Sequence, residues 1–396
     1  MSAVRRYVGP GWLLAYVAAV ASLLLFSNPA SATPSFARQM NMQCSGCHFQ
    51  SFPALNAYGR HFRATGYTEA REGNGDMVEG TGLSIPAGLN TSIVTKLRYT
   101  SVDGGTATID FPDELAIFVA GRASKKIGYL FELAMVTEPD IVVGSNKLSN
   151  LASGKVHFNI GEFGGTHVSL IPFTTDGSGP GYGFELMNTG AQKSQRIIEA
   201  GDGYSASQRL QLGHASATGL TLAGMGEKYF FNATMWTPGW NDSKMDPSTF
   251  ANYLRVGFMP KFGAWDTTVG VQLASGTAVT GGSTSSKTDA WVIDGQMQGK
   301  AGKMPLGIYA SYGAAAAGHY LLSNSSERTA YGLLGKLGVT DKTSVFAAYA
   351  ANAGDNTDTS TTLGVQYMLA QNAKLELYSA DDAGKRTTRL MLFAGF

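Results

Sequence analysis

The feature of this sequence that most restricts its fold is an alternation of apolar side chains with small or polar ones at every second position. The alternation is clear in 127–135, 291–298 and 361–369, where apolar residues fall on one face and residues such as Gly, Glu, Gln and Thr on the other. The last residues of the chain, 389–396, repeat it and end on Phe396. Alternation over this length predicts β-strands that have two unlike faces.

These segments recur along most of the chain, roughly every 19 residues, with turn-forming residues between them. Clusters of Gly, Asn, Asp, Ser and Thr occur between the segments, for example at 103–105, 281–283 and 354–356. From Gly88 onwards about sixteen such segments follow, and many are near ten residues, the length that crosses a bilayer on a tilt. The pattern predicts a mainly β protein, with an antiparallel barrel of approximately sixteen strands over residues 87–396.

The types of residue on the two faces predict a porin-like membrane barrel rather than a soluble β protein. The chain has 50 glycines and only 15% charged residues. A transmembrane barrel turns its apolar face to lipid and lines its interior with small and polar residues. Tyr99, Tyr349, Tyr367 and Tyr378 lie near predicted strand ends, where aromatic residues form interfacial girdles. A soluble lectin-like or propeller fold is the alternative.

The N-terminal residues resemble an export signal. Arg5 and Arg6 precede an apolar run over 12–26, and the Ala-Ser-Ala at 30–32 fits the rule for signal-peptide cleavage. We therefore predict a signal peptide over residues 1–32 and a mature chain that begins at Thr33. An uncleaved membrane anchor is the alternative, although the apolar run is short for a span. Either reading predicts export, and a barrel of this kind predicts the bacterial outer membrane and contact with its lipid.

The two cysteines of the chain, Cys44 and Cys47, are followed directly by His48. C-x-x-C-H is the attachment signature of c-type haem, in which two thioether bonds hold the porphyrin and the histidine binds the iron as proximal ligand. A disulfide or a redox-active pair is the alternative, whereas a zinc site would need two further ligands nearby. The motif predicts one covalently attached haem c.

The sixth iron ligand is less constrained, and an open position is one possibility. His61 is the candidate for the distal axial ligand because it belongs to the same short segment, residues 33–80, as the motif. Met40 and Met42 precede the motif so closely that we expect them to fall short of the distal face. The remaining candidates are more remote in sequence: Met77, His157, His167, His214 and His319.

The segment 33–80 is too small to be a robust independent fold. We therefore predict a short α-helical cytochrome segment that packs inside the barrel and plugs its lumen. An even number of strands puts both ends of the barrel on the periplasmic side, so the segment enters from there.

Residues 36–67 carry a resemblance to a known family. Phe36 to Gln39 precede the cysteine motif, and after it come Pro53 and Leu55, then Gly59, Arg60 and Phe62, and finally Gly66 and Tyr67. This order resembles the haem region of the fused monohaem cytochrome–porin family, which includes the outer-membrane Fe(II) oxidases of iron-oxidising bacteria. The family often has Thr-Gly at 40–41 and Lys at position 63, where this chain has Met-Asn and Arg.

The resemblance implies an oxidoreductase of the outer membrane, with Fe(II) as electron donor and a soluble periplasmic c-type cytochrome as acceptor. Two alternatives stay open: a conduit for a different electron donor or acceptor, and a diffusion porin with a structural or sensory haem. The loop acids Asp176, Asp202 and Asp242 are weak candidates for attracting Fe(II). A formal net charge of +1 gives no electrostatic case for nucleic acid as a partner.

Overall fold

The computed structural model describes residues 34–70, 77–88, 90–135, 150–199, 203–240, 247–280, 284–322, 324–355 and 357–396. The predicted signal peptide and its cleavage site lie outside the described residues, and so do Asp202 and Asp242.

Sixteen antiparallel strands close into a barrel, which confirms the predicted fold class. Each strand pairs with the next one along the chain, and the last strand pairs with the first, with Leu392 opposite Leu97. The barrel strands are β3 (Thr91–Val102), β4 (Thr108–Ser124), β5 (Ile127–Ala134), β6 (Leu151–Phe163), β7 (Thr166–Thr175), β8 (Ala217–Met225), β9 (Tyr229–Thr237), β10 (Ala251–Phe258), β12 (Trp265–Ser275), β15 (Ala290–Ala301), β16 (Met304–Ala315), β17 (Arg328–Gly338), β18 (Thr343–Ala353), β19 (Asp358–Ala370), β20 (Ala373–Asp382) and β21 (Lys385–Gly395).

Short hairpins accompany the barrel. Their strands are β1 (Met77–Gly80), β2 (Leu83–Pro86), β11 (Lys261–Phe262), β13 (Thr277–Thr280) and β14 (Thr284–Lys287). Among the described residues, none of the helices combines the length and the apolar character needed to cross a bilayer.

The connections differ in length at the two ends of the barrel. At one end, which we call the short-turn end, consecutive strands are joined by turns such as 125–126, 164–165 and 302–303. At the other, the long-loop end, they are joined by longer segments such as 176–216 and 316–327. In bacterial membrane barrels the short turns face the periplasm and the longer loops face the outside. The first strand begins, and the last strand ends, at the short-turn end.

The two faces of the strands differ as the alternation predicts. Ile293 and Leu363 face outward and are 47% and 61% exposed, whereas Asp294 and Gln296 are buried inside the barrel. Hydrophobic residues therefore cover the outside of the barrel, and its inside is largely polar.

One girdle assignment was wrong. Tyr99, Tyr349 and Tyr367 do face outward, but Tyr378 is buried in the lumen, where its hydroxyl accepts a hydrogen bond from Arg389 at 2.6 Å. The cause is strand parity, because Tyr378 lies on the same face of β20 as the buried Glu376.

An N-terminal plug, residues 34–70, occupies the short-turn end of the lumen. It contains three short helices, α1 (Pro34–Met40), α2 (Cys44–Cys47) and α3 (Ala57–Ala64). The side-chain amide of Gln50 donates to the backbone carbonyls of Pro305 and Lys336, at 2.8 and 3.1 Å. On another part of the wall, Arg60 binds both carboxylate oxygens of Asp266, at 2.6 and 2.7 Å. The plug is thus anchored to widely separated strands.

A second segment fills the lumen from the other end. The lumen loop, residues 176–216, contains a 3-10 turn over Pro180–Tyr182 and helix α4 (Ala206–Arg209), and most of its described residues are buried. It meets the plug through a reciprocal pair of hydrogen bonds, because the Leu55 amide donates to Asn188 Oδ1 at 2.8 Å and Asn188 Nδ2 donates to the Leu55 carbonyl at 2.9 Å. The sequence predicted a plug but not this inward-folded loop.

Candidate functional site

The turn that carries the two cysteines is tied to both the barrel and the plug. The amide of Cys44 donates to the side chain of Gln371, in the turn between β19 and β20, at 3.1 Å. The amide of His48 donates to the Cys44 carbonyl at 2.9 Å and closes the helical turn. Asn56, the N-cap of α3, donates its amide nitrogens to the carbonyls of Cys47 and Gly46, each at 2.9 Å. The motif is therefore held at the short-turn mouth of the barrel.

The close packing of α3 against this turn depends on a glycine. A Cβ atom at Gly59 would lie 2.1 Å from the carbonyl oxygen of Cys47, which is backbone and not a side chain that can swing away. Any other residue at position 59 would push the first turn of α3 away from the cysteine motif.

Cys44, Cys47 and His48 line a cavity of about 710 Å³. Cofactor and ligand sites typically measure about 300–1,000 Å³. The same cavity is lined at its far end by Asp176 and Trp240, which belong to the long loops. It therefore extends from the cysteine motif at the short-turn mouth, along the wall formed by β3 to β6, to the long-loop end.

The electrostatics of His48 suit a metal ligand. Its Nδ1 lies 3.2 Å from the carbonyl oxygen of Ala54, and since a carbonyl can only accept, Nδ1 carries the proton and Nε2 keeps its lone pair. Burial lowers the pKa of His48 to about 4, so the imidazole is neutral at physiological pH. Neutral imidazole is the form that binds a metal.

The two thiols are close neighbours in the helical turn, but no disulfide joins Cys44 to Cys47. Burial, reinforced by the charge of Cys44, raises the pKa of Cys47 to about 11. The Cys47 thiol is therefore protonated at neutral pH, which disfavours the redox-active pair, because that chemistry uses a thiolate of lowered pKa.

The cavity wall combines an apolar part with a cationic part. Its aromatic and aliphatic lining includes Phe36, Phe52, Leu55, Phe62, Phe118 and Phe393. Its cationic lining includes Lys96, Arg98 and Arg196. Arg98 pairs with Asp113 at 2.8 Å, yet its buried Nε has no hydrogen-bond partner among the described residues. Leaving a buried donor unpaired is costly, and an anion in the cavity would relieve that cost.

These features fit a covalently held haem. The two cysteines and the neutral His48 would supply the attachment and the proximal ligand, and the apolar wall would suit the macrocycle. The cations and the unpaired Nε of Arg98 suit its two carboxylates.

The structure does not bring His61 to this cavity. His61 is half exposed on α3, and its Nε2 lies 3.0 Å from the carboxylate of Glu69, a hydrogen bond that raises the pKa of the imidazole. On its other side, its ring centroid is 6.2 Å from that of His167. The role of His61 as distal ligand stays a prediction, and the position of the side chain gives it no support.

Of the other candidate ligands, Met40 and Met42 line the cavity. Met42 packs against the motif itself, because a Cβ atom at Gly46 would lie 2.3 Å from its sulfur. Met40 is buried at the end of α1, in a cluster with Phe62 and Tyr67. The remaining candidates do not line the cavity: Met77, His157, His167, His214 and His319.

Acidic residues occur on the cavity wall towards the long-loop end. Asp176, a loop acid named in the sequence analysis as a candidate for attracting Fe(II), lies there with Glu114 and Glu132 from β4 and β5. Within the ranges that the structure describes, no group of three or more His, Cys, Asp or Glu residues is arranged to hold a metal ion.

Sequence reasoning missed Glu199 of the lumen loop. Glu199 is buried and pairs with Lys96 of β3 at 2.8 Å. This ion pair joins residues about a hundred positions apart, and no local pattern signals it.

Comparison with known proteins gives the fold alone. No family model and no curated protein matches this sequence. Among solved structures, a double mutant of the Rh. blastica porin superposes with a TM-score of 0.51 at 12% identity, over 77% of this chain and 99% of the porin. In-vitro folded OmpT, an outer membrane protein of Vibrio cholerae, gives a TM-score of 0.47 at 11% identity, over 81% of this chain and all of OmpT. The chain thus has a porin-like β-barrel fold.

Proposed function

We propose that this protein is an outer-membrane electron-transfer protein that carries one haem c on Cys44 and Cys47, with His48 as proximal ligand. It takes electrons from Fe(II) outside the cell and passes them to a soluble c-type cytochrome in the periplasm. The observation that carries the proposal is the position of the cysteine motif, at the foot of a cavity that reaches the opposite end of an otherwise filled barrel.

The residues of this chain divide the work. Cys44 and Cys47 provide the thioether bonds, and the Ala54 carbonyl orients His48 so that its Nε2 is free for iron. Lys96 and Arg98 provide positive charge for the two carboxylates of the haem inside the barrel. When bound, the haem supplies one-electron transfer.

The thickness of the membrane explains why a redox group inside the barrel is useful. The apolar band of an outer-membrane barrel is about 25 Å tall, a distance over which electron tunnelling is slow. A redox centre inside the barrel shortens the gap on both sides. Fe(II) is a fitting donor because Fe(III) precipitates at neutral pH, so that the product is best formed outside.

The filled lumen argues against a diffusion porin with a structural or sensory haem. The plug and the lumen loop meet inside the barrel through Leu55 and Asn188, and both segments are hydrogen-bonded to the walls. A conduit for another donor shares every feature described here, so the choice of donor rests on the family resemblance and needs a direct test.

The test begins with the mature chain produced in a bacterium that attaches haem c. A pyridine haemochrome assay on the membrane-extracted protein is expected to show one covalent haem per chain, and none in a Cys44→Ala/Cys47→Ala variant. Absence of covalent haem in the unmodified protein would end the proposal.

Stopped-flow mixing with Fe(II) then tests the donor. The haem spectrum is expected to change from oxidised to reduced. A haem that dithionite reduces and Fe(II) leaves oxidised would show that the donor is wrong, while the electron-transfer role would stand.

A further inference from the structure

The turns at the short-turn end form a strongly basic rim. The exposed charged residues of these turns and the adjoining strand ends are seven lysines and three acids: Lys125, Lys126, Lys228, Lys261, Lys300, Lys303, Lys342, Glu162, Glu227 and Asp341. Only one ion pair within this set is recorded, Lys261 with Glu227 at 3.8 Å, and both of its side chains are more than three-quarters exposed. We call this set the basic rim. The β1–β2 hairpin at the same end adds one exposed acid, Glu79, which pairs with Arg122 at 2.8 Å.

The basic rim surrounds the part of the plug that leads into the cysteine motif. Asn41, Gln43 and Ser45 are exposed there and are all uncharged. Gln43 is joined to the barrel by a hydrogen bond from Gln371 at 2.9 Å, so this surface lies level with the turns. Arg38, which is exposed on α1 just before these residues, adds a further positive charge. The surface beside the proposed haem attachment site is thus free of acids over residues 41–45 and enclosed by positive charge.

The opposite end of the barrel has the opposite sign. Its described loops and strand ends expose six acids and three bases: Asp103, Asp110, Asp176, Glu327, Asp355, Asp382, Lys287, Lys385 and Arg386. Since the whole chain has a formal net charge of only +1, the basic rim is a local feature and does not reflect a generally basic protein.

We propose that the basic rim is the docking surface for an acidic redox protein of the periplasm, whose negative face surrounds its own redox centre. The inference rests on the proposed function and specifies the chemistry of the partner. Docking there would bring the partner against Gln43 and Ser45, next to the two attachment cysteines.

A protein is a better occupant of the rim than phospholipid head groups. Most of the lysines lie in turns beyond the strand ends, and Lys300, the one within a barrel strand, shares the lumen-facing parity of Gln296 and Gln298. Lipid would instead favour lysines on the outward, apolar face of the strands.

Charge of this kind acts mainly on the rate of encounter. Complementary surfaces raise association rates by about 10- to 1,000-fold, and salt removes most of the gain because the Debye length is about 8 Å at physiological ionic strength. Docking at the basic rim is therefore expected to weaken steeply with added salt.

The experiment uses the full-length haem protein in nanodiscs and two forms of one probe. The probe is mitochondrial cytochrome c, a basic protein, either native or with its lysines succinylated so that its surface becomes acidic. Binding is measured with both partners oxidised, so no electron moves, and electron transfer is followed afterwards with the barrel haem reduced by dithionite. The variant Lys125→Glu/Lys126→Glu/Lys303→Glu reverses part of the rim, and Lys287→Glu/Lys385→Glu/Arg386→Glu makes the same change of charge at the long-loop end.

We expect the succinylated probe to bind and to be reduced faster than the native one at low salt. The rim variant is expected to lose about tenfold in association rate, and the long-loop variant to behave as the unmodified protein. Equal or stronger binding of the native probe, or an undiminished rate in the rim variant, would overturn the proposal. So would a rim variant whose only defect is weaker insertion into phosphatidylglycerol bilayers, since this outcome would assign the lysines to lipid.

The binding arm does not depend on Fe(II). A failure of iron oxidation with normal binding of the acidic probe would therefore count against the donor alone, and a failure of binding with normal iron oxidation would count against the docking surface alone.

Discussion

Replacing Arg255 by Met is expected to release the lumen loop from the barrel wall. Arg255 lies on β10 and is fully buried, with its Nε 3.0 Å from a carboxylate oxygen of Glu185 and two other guanidinium nitrogens 2.6 and 2.8 Å from the carboxylate of Asp294. Glu185 also anchors the loop, because its carboxylate accepts from the amides of Leu186 and Met187 at 2.9 and 2.7 Å. One cation thus holds the loop against the wall.

The magnitude follows from what the substitution leaves behind. Met fills much of the same volume but leaves two carboxylates inside the barrel with no compensating cation. Removing one partner of a buried ion network costs about 3–5 kcal/mol. Water reaching the released carboxylates would relieve part of that cost, so we expect the loop to move away from the wall rather than the whole barrel to unfold.

Two measurements check this expectation. The midpoint of urea-induced unfolding in lipid should fall, and single-channel conductance in planar bilayers should rise above that of the unmodified protein, while the plug keeps it below that of an open porin. A triple variant that neutralises the whole ion network should recover much of the lost stability. It carries Arg255→Met, Glu185→Gln and Asp294→Asn. Lys261→Met, which breaks an exposed pair, should change neither quantity. An Arg255→Met protein with unchanged midpoint and conductance would refute the role given to the buried ions.

Three further predictions concern the plug and the cavity. Gly59→Ala should destabilise the plug by about 1–3 kcal/mol and lower the yield of haem-loaded protein, measured by thermal unfolding and haemochrome assay, because its Cβ meets the Cys47 carbonyl. His61→Gln should leave the visible haem spectrum unchanged. Its stability should fall below that of the unmodified protein mainly between the lowered pKa of Glu69 and the raised pKa of His61, since the pair is charged only in that window and is lost as pH rises above it or falls below it. Arg98→Leu should lower the haem reduction potential measured in a spectroscopic redox titration, because a nearby cation favours the reduced state. The corresponding change in the free energy of reduction is on the order of 1 kcal/mol.

Much of the fold was predictable because the two faces of a barrel strand appear in the sequence as an alternation of apolar and small or polar residues. In 291–298 and 361–369 every exposed side chain is at an outward position, and every fully buried one lies between them. Leu130, an exception to the alternation, faces inward because it packs against the plug beside Met40 and Tyr67. Departures from the two-residue period thus mark places where something other than water fills the lumen.

The site was predictable only where its residues are adjacent in sequence. Cys44, Cys47 and His48 form a local motif, and the structure keeps them on one wall of one cavity. The cations and the closure of the lumen come from strands and loops far apart in the chain, and isolated charges such as Lys96 and Glu199 carry no local signal. His61 shows the converse limit, because nearness in sequence did not bring it to the cavity.

Under the proposed electron-transfer function, the plug and the lumen loop together would explain why the charges of the barrel differ at its two ends. A plugged barrel cannot pass a partner protein, so in the proposed function an electron is delivered at one mouth and collected at the other. The donor end then needs only to attract a small cation, and its excess of acids, including Asp176 on the cavity wall, suits that task. The collecting end must hold a protein long enough for transfer and then release it, and exposed lysines do this well because they speed encounter without adding a large buried surface. If the rim variant and the long-loop variant affected the acidic probe equally, this explanation of the asymmetry would fail.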